Sequence, residues 1–277
     1  MDSIVSIEWL SANIDDPDLI ILDATQDGSK SGLVTEYPGL QIKGARFFDL
    51  KNSFSDKSTS VPNMLQSPEE FAVACRKLGI SKSSKIVAYD NLGIYTSPRV
   101  WWMFNIMGHK NVAVLDGGLP EWIKNGLTTE PFTEEGTFEE GDFIATFSPE
   151  MVRDAKGILK NIDSGEELVV DARGKGRFDG TVPEPRAGMK SGHIPKSVNL
   201  PFKKVLKDGK LLPKEELEKV IGELDLGNKP LVFSCGSGIT ASVIMLACAQ
   251  VMENKMALYD GSWSEWGLLE GAPVDVA

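Results

Sequence analysis

The chain has 277 residues, enough for one large domain or two ordinary ones. Hydrophobic residues at 42% and charged residues at 25% fit a soluble globular protein, and a net charge of −11 argues against nucleic acid and anionic membranes as main partners. The three cysteines, Cys75, Cys235 and Cys248, are odd in number and far apart, which fits neither a disulfide framework nor a zinc site; the two histidines, His109 and His193, are too few for chemistry that needs several imidazoles, so no metal is expected.

The N-terminus, MDSIVSIEWL, has no basic region and no long apolar run, so secretion is disfavoured, and its acidic residues argue against a transit peptide. No stretch approaches the ~20 apolar residues of a membrane span. A reducing cytoplasmic setting is expected, which keeps thiols free. LIIL (19–22), KIVAY (85–89) and VAVL (112–115) read as buried parallel strands. Between them, Ser67-Pro68-Glu69-Glu70 predicts a helix start, with a hydroxyl at the N-cap, proline at N1 and glutamate at N3. Phe71, Cys75 and Leu78 then fall on one helical face. Trp101 and Trp102 read as helix packing, and His109 as a cation at a helix end. The acidic stretch TTEPFTEEGTFEEGDF (128–143) has little periodicity and reads as an interdomain connection.

The second half repeats the first. ELVVDAR (167–173), GHIPKSVNLPF (192–202), PLVFSC (230–235) and MALYDGSWSEW (256–266) follow the order of LIILDAT (19–25), QIKGARFFDL (41–50), KIVAYD (85–90) and VAVLDGGLPEW (112–122). Asp90 to Asp116 is 26 residues and Cys235 to Asp260 is 25, so one supersecondary unit occurs twice. Pro213 opens a helix with Leu217, Val220, Ile221 and Leu224 facing inward. Strand alternating with helix predicts an α/β fold with two domains, about 1–130 and 148–277, each a parallel sheet flanked by helices. The join between two such domains is a natural ligand cleft.

LVFSCGSGIT (231–240) carries the chemistry. The strand is expected to run to Ser234 and a helix from Ile239 to Val251, leaving Cys235 to Gly238 as the turn at the carboxyl end of the sheet, where ligands bind. Gly236 and Gly238 are expected to adopt backbone angles closed to other residues. The loop amides then form a concavity at a helix N-terminus, and a cysteine there gains thiolate character. A dinucleotide site is disfavoured, because only 17 residues follow Asp260 and the first copy has no Gly-rich turn at DNLGIYTS (90–97). A Cys-x5-Arg phosphatase is disfavoured because Ala241 stands where the arginine is required. Cys75 and Cys248, in apolar helical settings, read as packing.

The duplicated unit, GHIP…N…PF (192–202), CGSGIT (235–240) and YDGSWSEW (259–266) resemble the two-domain rhodanese sulfurtransferases over nearly the whole chain. The neutral Gly236 and Ser237 after the cysteine are similar to the mercaptopyruvate-using branch; thiosulfate-using relatives carry charges there. The resemblance implies that Cys235 takes sulfur from 3-mercaptopyruvate as a persulfide and passes it to a thiol such as thioredoxin, or to cyanide, with no cofactor. It implies that the amides of Gly236, Ser237, Gly238, Ile239 and Thr240 hold the persulfide, that Ser237 binds substrate or shares in proton movement, and that Arg177 and Arg186 of GRFDGTVPEPR bind the carboxylate and ketone of the substrate. Thiosulfate transfer, or a sulfur-carrying or docking module without efficient turnover, are the alternatives. Asp90, at the position equivalent to Cys235, implies a non-catalytic first domain. His193 is expected to brace its loop, and Trp263 and Trp266 to pack near the site. The family's proton relay pairs a histidine of its first-domain HIPG motif with an upstream acid; here that position is Gln41, and Asp27 is the available acid.

Overall fold

A computed structural model describes residues 1–26, 32–134 and 136–277. Asp27 lies outside the described residues. The chain forms two compact units: Met1–Lys57 with Leu65–Ser148 and Asp208–Leu211, and Ser58–Met64 with Pro149–Lys207 and Leu212–Ala277.

Each unit is built on a five-stranded parallel sheet. In the first, the strands are β1 (Ile4–Val5), β2 (Leu19–Asp23), β3 (Arg46–Phe47), β4 (Lys85–Tyr89) and β5 (Val112–Leu115), in the spatial order β1-β5-β4-β2-β3. In the second they are β6 (Val152–Arg153), β7 (Leu168–Asp171), β8 (Val198–Asn199), β9 (Leu231–Ser234) and β10 (Met256–Tyr259), in the order β6-β10-β9-β7-β8. The two orders are the same, so the repeat read in the sequence is a repeat of topology. The interior strands are nearly continuous apolar runs because helices cover both faces of the sheet. One core cluster of the first unit joins Ile21, Val87, Ala113, Leu119 and Trp122, and its counterpart in the second joins Val169, Val232, Ala257, Trp263 and Trp266.

The local signals behave as their chemistry requires. Ser67 caps Pro68–Lys77, and Ser67 and Glu70 satisfy each other's backbone N–H in a capping box. Phe71 and Cys75 of that helix are buried. The helix after Pro213 spans Lys214–Gly222 and buries Leu217 and Ile221; Val220 is half-buried, and Leu224 falls beyond the helix end.

Two expectations are corrected. The stretch 128–143 belongs to the first unit: Thr129–Pro131 pairs antiparallel with Leu40–Ile42, and Phe143 is buried. Its acidic composition masked a strand too short for periodicity to reveal. His109 is not a helix-end cation. Its ring is buried against Phe104 and Phe143, Nε2 lies 2.9 Å from the Ser84 carbonyl oxygen, and burial lowers its pKa.

Candidate functional site

Parallel pairing of β9 with β7 sets Ser234 beside Asp171 at the carboxyl end of the second sheet. The strand ends at Ser234 and the helix Ile239–Cys248 begins four residues after Cys235, so Cys235–Gly238 form the turn. Gly238 has φ +78°, the left-handed conformation that favours glycine. Gly236 does not share it. A Cβ at 236 would lie 3.3 Å from Arg177 Nη2, so the guanidinium rests against the backbone next to the cysteine.

Cys235 is 2% exposed, whereas Gly236, Ser237 and Thr240 are half-buried. The DGSWSEW segment clamps the turn. Cys235 N donates to Ser262 Oγ at 3.2 Å, Trp263 N donates to the Cys235 carbonyl at 2.9 Å, and Ser264 N donates to the Gly236 carbonyl at 2.8 Å. Ser262 holds φ +49°, unusual for a residue with a side chain, and its hydroxyl donates to the Tyr259 carbonyl at 2.8 Å. Among the described residues, the amides of Gly236, Ser237 and Gly238 donate to no protein acceptor. These donors, beside the N-terminus of a ten-residue helix, form an anion-receptive loop.

The arginines converge on the same turn. Arg186 donates to Ser264 Oγ, which in turn donates to the Gly236 carbonyl. Arg177 is paired with Glu184, whose side chain is almost fully buried and also accepts from Arg173 Nη1 at 2.8 Å. Arg173 is buried, bonds Asp171 at 2.6 Å and lies 4.0 Å from the centroid of the Trp263 ring. Burial opposes its charge, but the Asp171 and Glu184 carboxylates outweigh that penalty and the Arg173 pKa is raised. Asp171, Arg173, Glu184 and Arg177 carry two charges of each sign. Among the described residues Arg186 has no carboxylate partner, so its guanidinium stands beside the turn unpaired by an acid.

Several contacts escaped the sequence reading. Asn63, at φ +61°, belongs to the second unit and donates through Nδ2 to the Ser237 carbonyl and Oγ at 3.2 and 3.3 Å. Gln41, by contrast, is buried in the first unit, donating to the Ala45 carbonyl and Glu130 and accepting from Thr133 N. Among the described residues the side chain that meets the Ser237 hydroxyl is Asn63. His193 packs flat on Phe178, with centroids 3.8 Å apart and Nδ1 2.8 Å from the Phe178 carbonyl, and pairs its backbone with Asp275. Among the described residues no cluster of His, Cys, Asp and Glu is arranged to hold a metal ion, and no helix is long and apolar enough to cross a membrane.

In the first unit the equivalent turn closes on itself. Asp90 Oδ2 accepts from the amides of Tyr95, Thr96 and Ser97 at 2.8–2.9 Å and from Ser97 Oγ at 2.8 Å, while Oδ1 accepts from Leu92 N at 3.0 Å. A carboxylate of the chain occupies the donors there. The other cysteines are free and buried, and burial pushes the Cys75 thiol well up and Cys248 to about 12.

A duplicated parallel α/β unit, with a cysteine-bearing turn in one copy and a carboxylate-filled turn in the other, defines the class: a tandem-domain protein with one anion-receptive site. The model of the rhodanese-like domain matches residues 6–125 and 154–268, and the chain belongs to that family as a tandem-domain sulfurtransferase. It is 38% identical over 277 residues to the 3-mercaptopyruvate sulfurtransferase of Escherichia coli (strain K12), covering 98% of this chain and 97% of that one. It is also 38% identical over 278 residues to the thiosulfate sulfurtransferase of Bos taurus, covering 95% and 91%. The crystal structure of an Escherichia coli 3-mercaptopyruvate sulfotransferase superposes with a TM-score of 0.82 at 36% identity, over 96% of this chain and 100% of that one. Overall identity does not separate the two sulfur donors.

Proposed function

We propose that the protein moves sulfur from 3-mercaptopyruvate to a thiol acceptor through a persulfide on Cys235. The Cys235 thiolate attacks the substrate sulfur and forms an S–S bond. The carbon–sulfur bond breaks, its electron pair stays with carbon, and the pyruvate enolate takes a proton and leaves as pyruvate. An acceptor thiolate, such as that of thioredoxin, or cyanide, then attacks the outer sulfur and releases the Cys235 thiolate. Dividing the transfer into two displacements lets one site serve chemically different donors and acceptors. In this reading the amides of Gly236, Ser237, Gly238, Ile239 and Thr240 receive the negative sulfur, Ser237 donates a hydrogen bond to substrate, and Arg177 and Arg186 receive the carboxylate.

The observation that carries the reading is the charge balance at the turn. Arg177 is neutralised by Glu184, Arg186 is not, and Gly236 and Ser237 bear no charge. One guanidinium without an acidic partner, beside a turn with no charged side chain of its own, suits the single carboxylate of mercaptopyruvate. The three free cysteines fit a reducing, cytoplasmic setting. Pyruvate release from mercaptopyruvate, measured beside thiocyanate formation from thiosulfate and cyanide, tests the assignment. Thiosulfate turning over as fast as mercaptopyruvate would overturn the preference, and activity surviving in Cys235→Ser would overturn the mechanism.

A further inference from the structure

The Asn63 amide is the side-chain contact to Ser237 that neither the repeat nor the cysteine motif announces. Its orientation is fixed by chemistry. The Ser237 carbonyl can only accept, so the group facing it must be the NH2 of Asn63 and not its oxygen. The same NH2 faces Ser237 Oγ, so at this contact the hydroxyl is an acceptor. Its own proton must therefore point away from Asn63. Asn63 also sits at φ +61°, within a half-buried segment, Val61 to Met64, of the same unit as the turn. Asparagine tolerates that backbone, and holding it there orders the amide against Ser237.

We propose that Asn63 is a positioning residue: it locks Ser237 as a hydrogen-bond donor toward the sulfur donor and, having no titratable proton, prevents Ser237 from passing a proton to the chain at that point. The inference rests on the proposed reaction and specifies how its serine works. Ser237 stabilises the reacting group by a hydrogen bond, and the proton that completes pyruvate comes from solvent or from the substrate's own thiol. A titrating side chain at 63 would change that arrangement.

Three variants test it. Asn63→Gly keeps the left-handed backbone without strain and removes the amide. Asn63→Asp keeps the shape but offers only acceptors to the Ser237 carbonyl. Asn63→His introduces a group that titrates near neutrality. Expected for Asn63→Gly is a fall in kcat of roughly tenfold for pyruvate release, shrinking to less than about twofold in a Ser237→Ala background, because the two residues act as one unit. Asn63→Asp is expected to fall further than Asn63→Gly, and Asn63→His to add a limb near pH 6–7 that the wild-type kcat profile lacks. Equal losses from Asn63→Gly with and without Ser237, or an unchanged pH profile in Asn63→His, would overturn the proposal. Amide exchange over residues 235–240 is read on the same proteins and is expected to quicken in Asn63→Gly. Unchanged exchange sinks the Asn63 contact whatever the donor, whereas wild-type protein that releases no pyruvate sinks the proposed reaction instead.

Discussion

Replacing Glu184 by glutamine is the sharpest perturbation of the charge balance, because one oxygen pair holds two guanidinium groups. Oε1 accepts from Arg173 Nη1 at 2.8 Å and Arg177 Nε at 3.1 Å, and Oε2 accepts from Arg177 Nη2. Glutamine keeps one acceptor, which serves buried Arg173 best, and turns an NH2 against Arg177 Nη2. One charge-assisted hydrogen bond is lost, each typically worth about 1.5–3 kcal/mol, and the four-charge network gains a net +1. Arg173 retains Asp171, so the loss is smaller than the ~3–5 kcal/mol of an abandoned buried charge. We therefore expect a stability loss of about 2 kcal/mol by chemical denaturation. Arg177, released from its brace, should lower kcat/KM for mercaptopyruvate about tenfold, which corresponds to ~1.4 kcal/mol. The added positive charge should penalise thiosulfate less, so the ratio of thiosulfate to mercaptopyruvate turnover is expected to rise. Unchanged stability and an unchanged donor ratio would refute the view that Glu184 sets the charge of the turn.

Cys235→Ser is expected to abolish transfer, whereas Cys75→Ala and Cys248→Ala retain it; mass spectrometry after mercaptopyruvate should find the added sulfur on residue 235 alone. Arg186→Ala should raise KM for mercaptopyruvate at least tenfold, since it removes the turn's unpaired cation, and initial-rate kinetics check this. Asp90→Ala strips the acceptor from four amides and a hydroxyl and should cost about 3–5 kcal/mol of stability by denaturant titration. His109 has a lowered pKa in the folded state, so below pH ~6.5 the unfolded chain binds the extra proton. Its contribution is complete above that value and is lost as pH falls through the folded pKa; Tm should therefore fall less between pH 7 and 5 in His109→Gln than in the wild type.

The fold was legible because its signals are local and repeated. Apolar runs, a capping box and two similarly spaced Asp-to-Cys or Asp-to-Asp intervals survive without knowledge of tertiary contacts, and the apolar runs and the intervals recur in both halves. The turn at Cys235 was legible for the same reason, since a strand, two glycines and a helix bound it within ten residues. What could not be read were contacts made across long stretches of chain. Asn63 meets Ser237 across 174 residues, and no periodicity connects them. The pairing of Arg177 with Glu184 lies within seven residues but carries no pattern distinguishing it from an exposed ion pair; only burial makes it matter.

The copies themselves hold a signal that links the two cases. Gly118 and Ser262 occupy the same place in DGGLPEW and DGSWSEW, and both have left-handed backbone, φ +53° and +49°. In the first unit a Cβ at 118 would lie 2.4 Å from the Asp90 carbonyl oxygen, so glycine is required. In the second unit serine stands there at a conformational cost, and its hydroxyl accepts the Cys235 amide. The next residue repeats one contact in both: Leu119 N donates to the Asp90 carbonyl at 3.0 Å and Trp263 N to the Cys235 carbonyl at 2.9 Å. One backbone design thus carries two chemistries. Where the first copy fills its amides with Asp90, the second leaves Gly236, Ser237 and Gly238 open and holds the cysteine in place with a strained serine. A position that is glycine for steric reasons in one copy and serine in the other marks, from sequence alone, the copy in which that side chain has acquired a task.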